Sequence, residues 1–93
     1  MIIQSKKIWL ADQFVSGQIE VVDGKIIGIY DYNEKEVDKD YGSNWILPGF
    51  IDIHCHGAYG FDTNDAKEDG LRYWLKNIVN EGVTALLPTT ITQ

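Results

Sequence analysis

Apolar positions along the chain follow two regimes. In the first third they form short runs rich in β-branched and aromatic residues: Ile2-Ile3, Ile8-Trp9-Leu10, Ile19-Glu20-Val21-Val22 and Ile26-Ile27-Gly28-Ile29-Tyr30. Such runs suit a pleated, half-buried surface and predict strands. Asp23-Gly24 separates the last two and supplies the positive φ angles of a type I′ turn, which predicts a hairpin over Ile19–Tyr30. Gly17 predicts a further turn after Asp12-Gln13. Further along, Leu71, Trp74, Leu75, Ile78 and Val79 recur at steps of three and four, one stripe of a helix. Asp65, Glu68 and Asp69 crowd its start, where negative charge suits the macrodipole. Asn64 or Asp65 is the expected N-cap, and Gly82 suits the left-handed position past the end. Trp45-Ile46-Leu47 is stopped by Pro48-Gly49; strands are expected from Phe50 to about His56 and from Val83 to Leu87, the latter ended by Pro88.

Between these regimes Asp31–Asn44 is polar, charged and poor in aliphatics, which predicts a solvated loop. The chain therefore divides into a β-rich segment, 1–47, and a strand–helix–strand segment, 48–93. The second reads as one βαβ unit with parallel strands and a right-handed crossover, so the fold class is α/β. Its 93 residues allow one modest core, and 44% hydrophobic with 24% charged residues is ordinary for a globular protein. A net charge of −6 argues against nucleic acid or an anionic membrane as partner, since a phosphate-binding surface needs basic clusters. No apolar run reaches the length of a membrane span, and the N-terminus lacks a signal-peptide pattern. The single cysteine cannot form an internal disulfide, so a cytoplasmic location is expected.

The chemistry concentrates in "PGFIDIHCHG", Pro48–Gly57, which holds both histidines and the only cysteine. Alternation along a strand puts Ile51, Ile53 and Cys55 on one face and Asp52, His54 and His56 on the other. A purely structural strand of a parallel sheet is apolar on both faces. Three polar groups on one buried face cost a few kcal/mol each unless they find partners. Same-face neighbours lie about 7 Å apart along a strand, from which two imidazoles can converge on one ion. His54 and His56 are therefore candidate metal ligands, with Asp52 a carboxylate behind them that orients a ligand. The bland alternative is a pair of hydrogen-bonded core histidines. Cys55, pointing the other way, reads as a small buried hydrophobe. Gly57 and Gly60 bracket Ala58-Tyr59 and would let the backbone turn sharply or approach a ligand. Thr89 and Thr90, with Thr92, lie past the last strand on the same rim and could line a polar pocket or solvate a loop.

A β-rich start followed by "LPGFIDIHCHG" resembles the amidohydrolase superfamily. The longer runs "LPGFIDIHCHGAYGFDTND" and "EGVTALLPTTIT" resemble, within it, the N-acetylglucosamine-6-phosphate deacetylase family. The resemblance covers essentially the whole chain. It implies that His54 and His56 match the first two metal ligands at the end of the first strand of a (β/α)8 barrel, and that Gly57 and Gly60 match a glycine loop. It also implies a divalent metal, zinc or iron, as one or two ions, because some members lack this histidine pair and keep a single metal elsewhere. The implied substrate is an amino-sugar phosphate and the implied assembly a homodimer. Dihydroorotases usually carry Arg two residues after the second histidine; Ala58 stands there, which counts against them.

The same resemblance implies what the 93 residues do not carry. A complete barrel takes about 250 residues. The family's remaining ligands, its catalytic Asp and its phosphate-binding residues come from later strands, so no catalytic residue is expected in this chain. The N-terminal strands would belong to a small β-sandwich finished by the C-terminal end. Taken alone, the 93 residues are expected to be inactive, and their unpaired sheet edges to promote association. Two other readings are an amidohydrolase acting on a different amide and a short, non-catalytic binding or structural protein.

Overall fold

The computed structural model describes residues 1–92 and contains nine strands and one α-helix, a mixed α/β fold dominated by strands. It divides into two compact units, Met1–Pro48 and Gly49–Gln93, with the boundary inside Pro48-Gly49.

The first unit is one sheet. β1 (Ile2–Leu10) pairs antiparallel with β2 (Gln13–Val22), and β2 pairs antiparallel with β3 (Lys25–Tyr30). β4 (Lys39–Asp40) and β5 (Trp45–Ile46) both add to β1 in parallel. The Asp23-Gly24 turn forms as predicted, with φ of 51° and 76°. The expected turn at Gly17 does not form. The chain reverses instead at Ala11-Asp12, where both residues adopt positive φ (48° and 63°), and β2 runs straight through Gly17. Gly17 serves a close approach: a Cβ there would stand 3.0 Å from the Tyr30 carbonyl oxygen of β3. It lies beside a register shift in which Ser5 pairs with Gly17 but Ile8 with Val15.

The polar segment 31–44 is not merely solvated. It is bonded to two glutamines buried within the sheet, Gln4 and Gln18. Gln4 Nε2 donates to Asn33 Oδ1 (3.0 Å) and Asp40 Oδ2 (2.9 Å). Gln4 Oε1 accepts from Gln18 Nε2 (2.9 Å) and the Asn33 amide (3.2 Å). Gln18 also donates to the Lys35 carbonyl (2.8 Å) and accepts from the Lys35 amide (3.1 Å). Every amide hydrogen and carbonyl oxygen of both carboxamides thus has a partner, which makes their burial tolerable. These donors hold the Asp40 carboxyl below the usual carboxylate range: the Gln4 amide contributes most, then the Gly42 backbone N–H, with Lys6 adding a smaller attraction.

The second unit starts with β6 (Phe50–Cys55), whose parallel partner is β9 (Val83–Pro88), as the βαβ pattern predicts. Between them lie a small hairpin, β7 (Gly57–Ala58) with β8 (Phe61–Asp62), a 3₁₀ turn over Thr63–Asp65 and the helix α1 (Glu68–Ile78). The expected caps are displaced. Lys67 occupies the N-cap of α1 without a side-chain bond, while Asp62 caps the 3₁₀ turn by accepting the Asn64 amide at 2.9 Å. Gly82 takes the left-handed conformation as expected, φ 82°. Of the predicted apolar stripe, Trp74 and Ile78 are buried and Leu71 half-buried, whereas Leu75 and Val79 stay exposed. Gly70 inside the helix leaves room for Phe61: a Cβ there would meet the ring at 2.4 Å, and that ring packs against Trp74 at 5.9 Å between centroids. This contact offsets the roughly 1 kcal/mol that a helical glycine costs.

Candidate functional site

His54 lies near the end of β6 and His56 one residue beyond it. The strand does not alternate cleanly. Asp52 pairs with Leu86 but Cys55 with Pro88, so β6 carries one extra residue between them. Such a slip re-aims side chains next to a site. Both imidazoles nevertheless come together: their Nε2 atoms are 3.1 Å apart and the rings meet edge to face at 4.8 Å.

A second partner fixes the roles of the two nitrogens of His56. His56 Nδ1 is 3.0 Å from the Thr89 carbonyl oxygen. A carbonyl only accepts, so Nδ1 carries the proton and the neutral ring offers its Nε2 lone pair toward His54. This is the usual arrangement of a ligating histidine, whose far nitrogen donates to a carbonyl or carboxylate. Two nitrogens on one tetrahedral zinc, with bonds of about 2.0–2.1 Å, stand roughly 3.3 Å apart. The observed spacing and donor chemistry therefore fit a shared divalent ion. They equally satisfy an imidazole–imidazole hydrogen bond, with His54 Nε2 donating. Among the described residues no group of three or more His, Cys, Asp or Glu gathers into a ligand set.

Asp52 takes a different partner from the one its position suggested. Its Oδ1 accepts the backbone N–H of His54 at 3.1 Å, so it acts on the main chain of that residue rather than on a ring. Cys55 is half-buried, its Sγ 3.9 Å from the Gly57 carbonyl oxygen.

The glycine loop is an ordered hairpin. Tyr59 and Gly60 form its two-residue turn with φ of 54° and 76°. A Cβ on Gly57 would stand 2.1 Å from the Phe61 carbonyl oxygen, so only glycine lets the two arms meet. The Tyr59 hydroxyl lies 3.2 Å from Glu81 Oε2 and 3.3 Å from the Asn77 carbonyl, tying the hairpin tip to the end of α1. Partial desolvation and the Glu81 carboxylate raise its pKa. Thr89 contributes main chain to the site: its amide donates to the Cys55 carbonyl (2.8 Å) and its carbonyl receives His56 Nδ1, while its hydroxyl turns back to Leu87 O (3.0 Å). Thr90 is exposed. Sequence reasoning missed Asn64 as a member of this cluster; its carboxamide pairs with the main chain of Ile91, and no spacing rule signals that role.

No protein-family model matches the chain. Curated relatives do. Over 73 residues, 76% of this chain, it is 44% identical to an N-acetylglucosamine-6-phosphate deacetylase of Lysinibacillus sphaericus, covering 19% of that protein. Over 82 residues it is 40% identical to the Bacillus subtilis enzyme of the same name, covering 84% of this chain and 21% of the relative. The chain is similar to the N-terminal region of N-acetylglucosamine-6-phosphate deacetylases. It spans about a fifth of the length of these relatives. A deacetylase named for the galactosamine epimer, N-acetylgalactosamine-6-phosphate deacetylase of Escherichia coli O157:H7, is 33% identical over 84 residues, 90% of this chain and 21% of the relative. In structure, the chain matches a mutant N-acetyl-D-glucosamine-6-phosphate deacetylase of Mycobacterium smegmatis in complex with N-acetyl-D-glucosamine-6-phosphate. The TM-score is 0.89 at 21% identity, over all of this chain and 25% of that one. The likeness carries the fold of the N-terminal region.

Proposed function

We propose that this chain is the metal-ligand-bearing N-terminal part of a deacetylase that hydrolyses N-acetylglucosamine 6-phosphate to glucosamine 6-phosphate and acetate. The observation that carries this reading is the convergence of His54 and His56, Nε2 to Nε2 at 3.1 Å, within a sequence related to such enzymes. β6, α1 and β9 would be the first βαβ unit of a (β/α)8 barrel, and the site would lie at the C-terminal ends of its strands, where barrel enzymes place chemistry.

In this reading His54 and His56 hold a divalent ion, zinc or iron, in a site of one or two ions. Asp52 fixes the His54 main chain, and the Thr89 carbonyl fixes the ring of His56. When bound, such an ion supplies Lewis acidity toward the acetamide carbonyl and activates water at neutral pH. The chain's own residues hold the His56 ring in one tautomer and the His54 main chain in place. Gly57 and Gly60 keep the adjoining hairpin tight, and Thr89 and Thr90 line the rim toward the amino-sugar phosphate. The remaining ligands, the proton-transferring carboxylate and the phosphate-binding groups would come from residues outside these 93, in a cytoplasmic homodimer. Two imidazoles leave a catalytic zinc site short of its usual three protein ligands, so residues 1–93 alone should release no acetate.

The relative named for N-acetylgalactosamine 6-phosphate favours a second reading, the same reaction on the 4-epimer. Acetate release from both sugar phosphates, measured side by side on the protein with its full site, separates them. A higher kcat/KM on the glucosamine epimer supports the first reading, and the opposite preference supports the second.

A further inference from the structure

His56 is oriented by the Thr89 carbonyl, and Thr89 lies past the end of β9, in a segment without regular structure. Something must hold that segment. One tie is the Thr89 amide, which donates to the Cys55 carbonyl at 2.8 Å. The other comes from the opposite side. Asn64 Nδ2 donates to the Ile91 carbonyl at 2.8 Å, and Asn64 Oδ1 accepts the Ile91 amide at 2.9 Å. The carboxamide therefore imitates a strand partner, filling the donor and acceptor of one residue at once. Asn64 is itself anchored: its amide donates to Asp62 Oδ1, and the Thr63 amide beside it donates to the His56 carbonyl at 2.7 Å. The bonds close a ring that leaves His56 through its carbonyl, passes Thr63, Asn64, Ile91 and Thr89, and returns to His56 through Nδ1.

We infer that Asn64 is a positioning residue for His56: by clamping Ile91 it places the Thr89 carbonyl that selects the Nδ1–H tautomer and aims Nε2. The effect on metal binding rests on the proposed metal site; the effect on the tautomer does not. Only a carboxamide of this length serves. Asp cannot donate to the Ile91 carbonyl and Ala offers neither group, whereas Gln keeps both groups one methylene too far out.

The test reads the imidazole directly. Nitrogen–proton correlation spectra of His56 are recorded without metal for the wild type, N64D, N64A and N64Q. A wild-type ring fixed as the Nδ1–H tautomer, mixed tautomers in N64D and N64A and partial retention in N64Q are expected. A tautomer unchanged in N64D and N64A overturns the inference. Ile91→Pro removes the amide that Asn64 Oδ1 accepts, so it breaks the same pair from the other side and decides the matter should the Asn64 variants fail to fold. Cobalt(II) titration then follows the consequence. Binding on the order of ten-fold weaker, with an altered visible spectrum, is expected in N64D, as for other residues behind a ligand. Where His56→Asn binds cobalt more weakly than wild type, equal binding by N64D and wild type also overturns the positioning role. Equal binding by His56→Asn and wild type instead overturns the metal reading, and the tautomer spectra still judge Asn64.

Discussion

Residues 1–48 bury two glutamines and a serine with their hydrogen bonds met, whereas residues 49–92 leave Ile51, Ile53 and Leu87 of a two-stranded sheet 68%, 72% and 59% exposed. The first unit spends its polar side chains on itself: Gln4 and Gln18 stitch the segment 31–44 onto β1 and β2, and the Ser5 hydroxyl donates to the Asn44 carbonyl. The second unit turns its polar groups toward a rim, where His54 meets His56, His56 meets the Thr89 carbonyl, and Asn64 pairs with the main chain of Ile91. A buried carboxamide with every group paired specifies structure. The histidine pair at the end of β6, Nε2 to Nε2 at 3.1 Å, sits partly exposed instead. The contrast teaches that polar residues in strands become informative once their partners are counted.

Substitutions can break this comparison, and the largest effect is expected in the second unit's small core. Trp74 is fully buried there, so W74A should destabilise that unit by about 3–5 kcal/mol. Hydrogen exchange of β6 and β9 amides reads the loss, and β1–β3 amides should be spared. Next, Q18L leaves both Lys35 main-chain groups without their partner, removes one of the two donors to Gln4 Oε1, and should cost the first unit about 1–3 kcal/mol. Denaturant unfolding followed through Trp9 and Trp45 checks it; a neutral outcome would mean that the network contributes nothing.

Acid offers a subtler probe. The Asp40 carboxyl has a folded-state pKa below its unfolded value, so its stabilising contribution is fully present above the unfolded value and disappears as pH falls through the folded one. The first unit's stability should therefore decline below the ordinary carboxylate range, and D40N should flatten that decline in an acid titration followed by circular dichroism. The smallest effect belongs to the exposed Arg72–Glu68 pair on α1. R72A should change thermal stability by no more than about 0.5 kcal/mol.

Much of this was legible in the sequence. The Asp23-Gly24 hairpin, the helix and its parallel flanking strands follow from turn chemistry and periodicity, which act over a few residues. The histidine pair was legible as same-face spacing, although the slip between Asp52 and Cys55 shows that strict alternation is not what brings the rings together. Gly17 was misread because a glycine in a strand signals a close approach as readily as a turn, and only the Tyr30 carbonyl across the sheet distinguishes them. The 31–44 segment and Asn64 were misread for one reason. Their partners, Gln4 and Gln18 in one case and Ile91 in the other, lie 17 to 36 residues away, and a hydrogen bond over that separation leaves no local pattern.

The central claim is that His54 and His56 hold a metal ion. Metal content per chain, measured by plasma emission on purified wild type and on the His54→Asn, His56→Asn double variant, tests it most directly. The double variant should lose about one equivalent of divalent ion while keeping its circular dichroism spectrum. Equal metal content in the two proteins, or a wild type that takes up no divalent ion, would contradict the claim and leave the pair as two histidines bonded to one another.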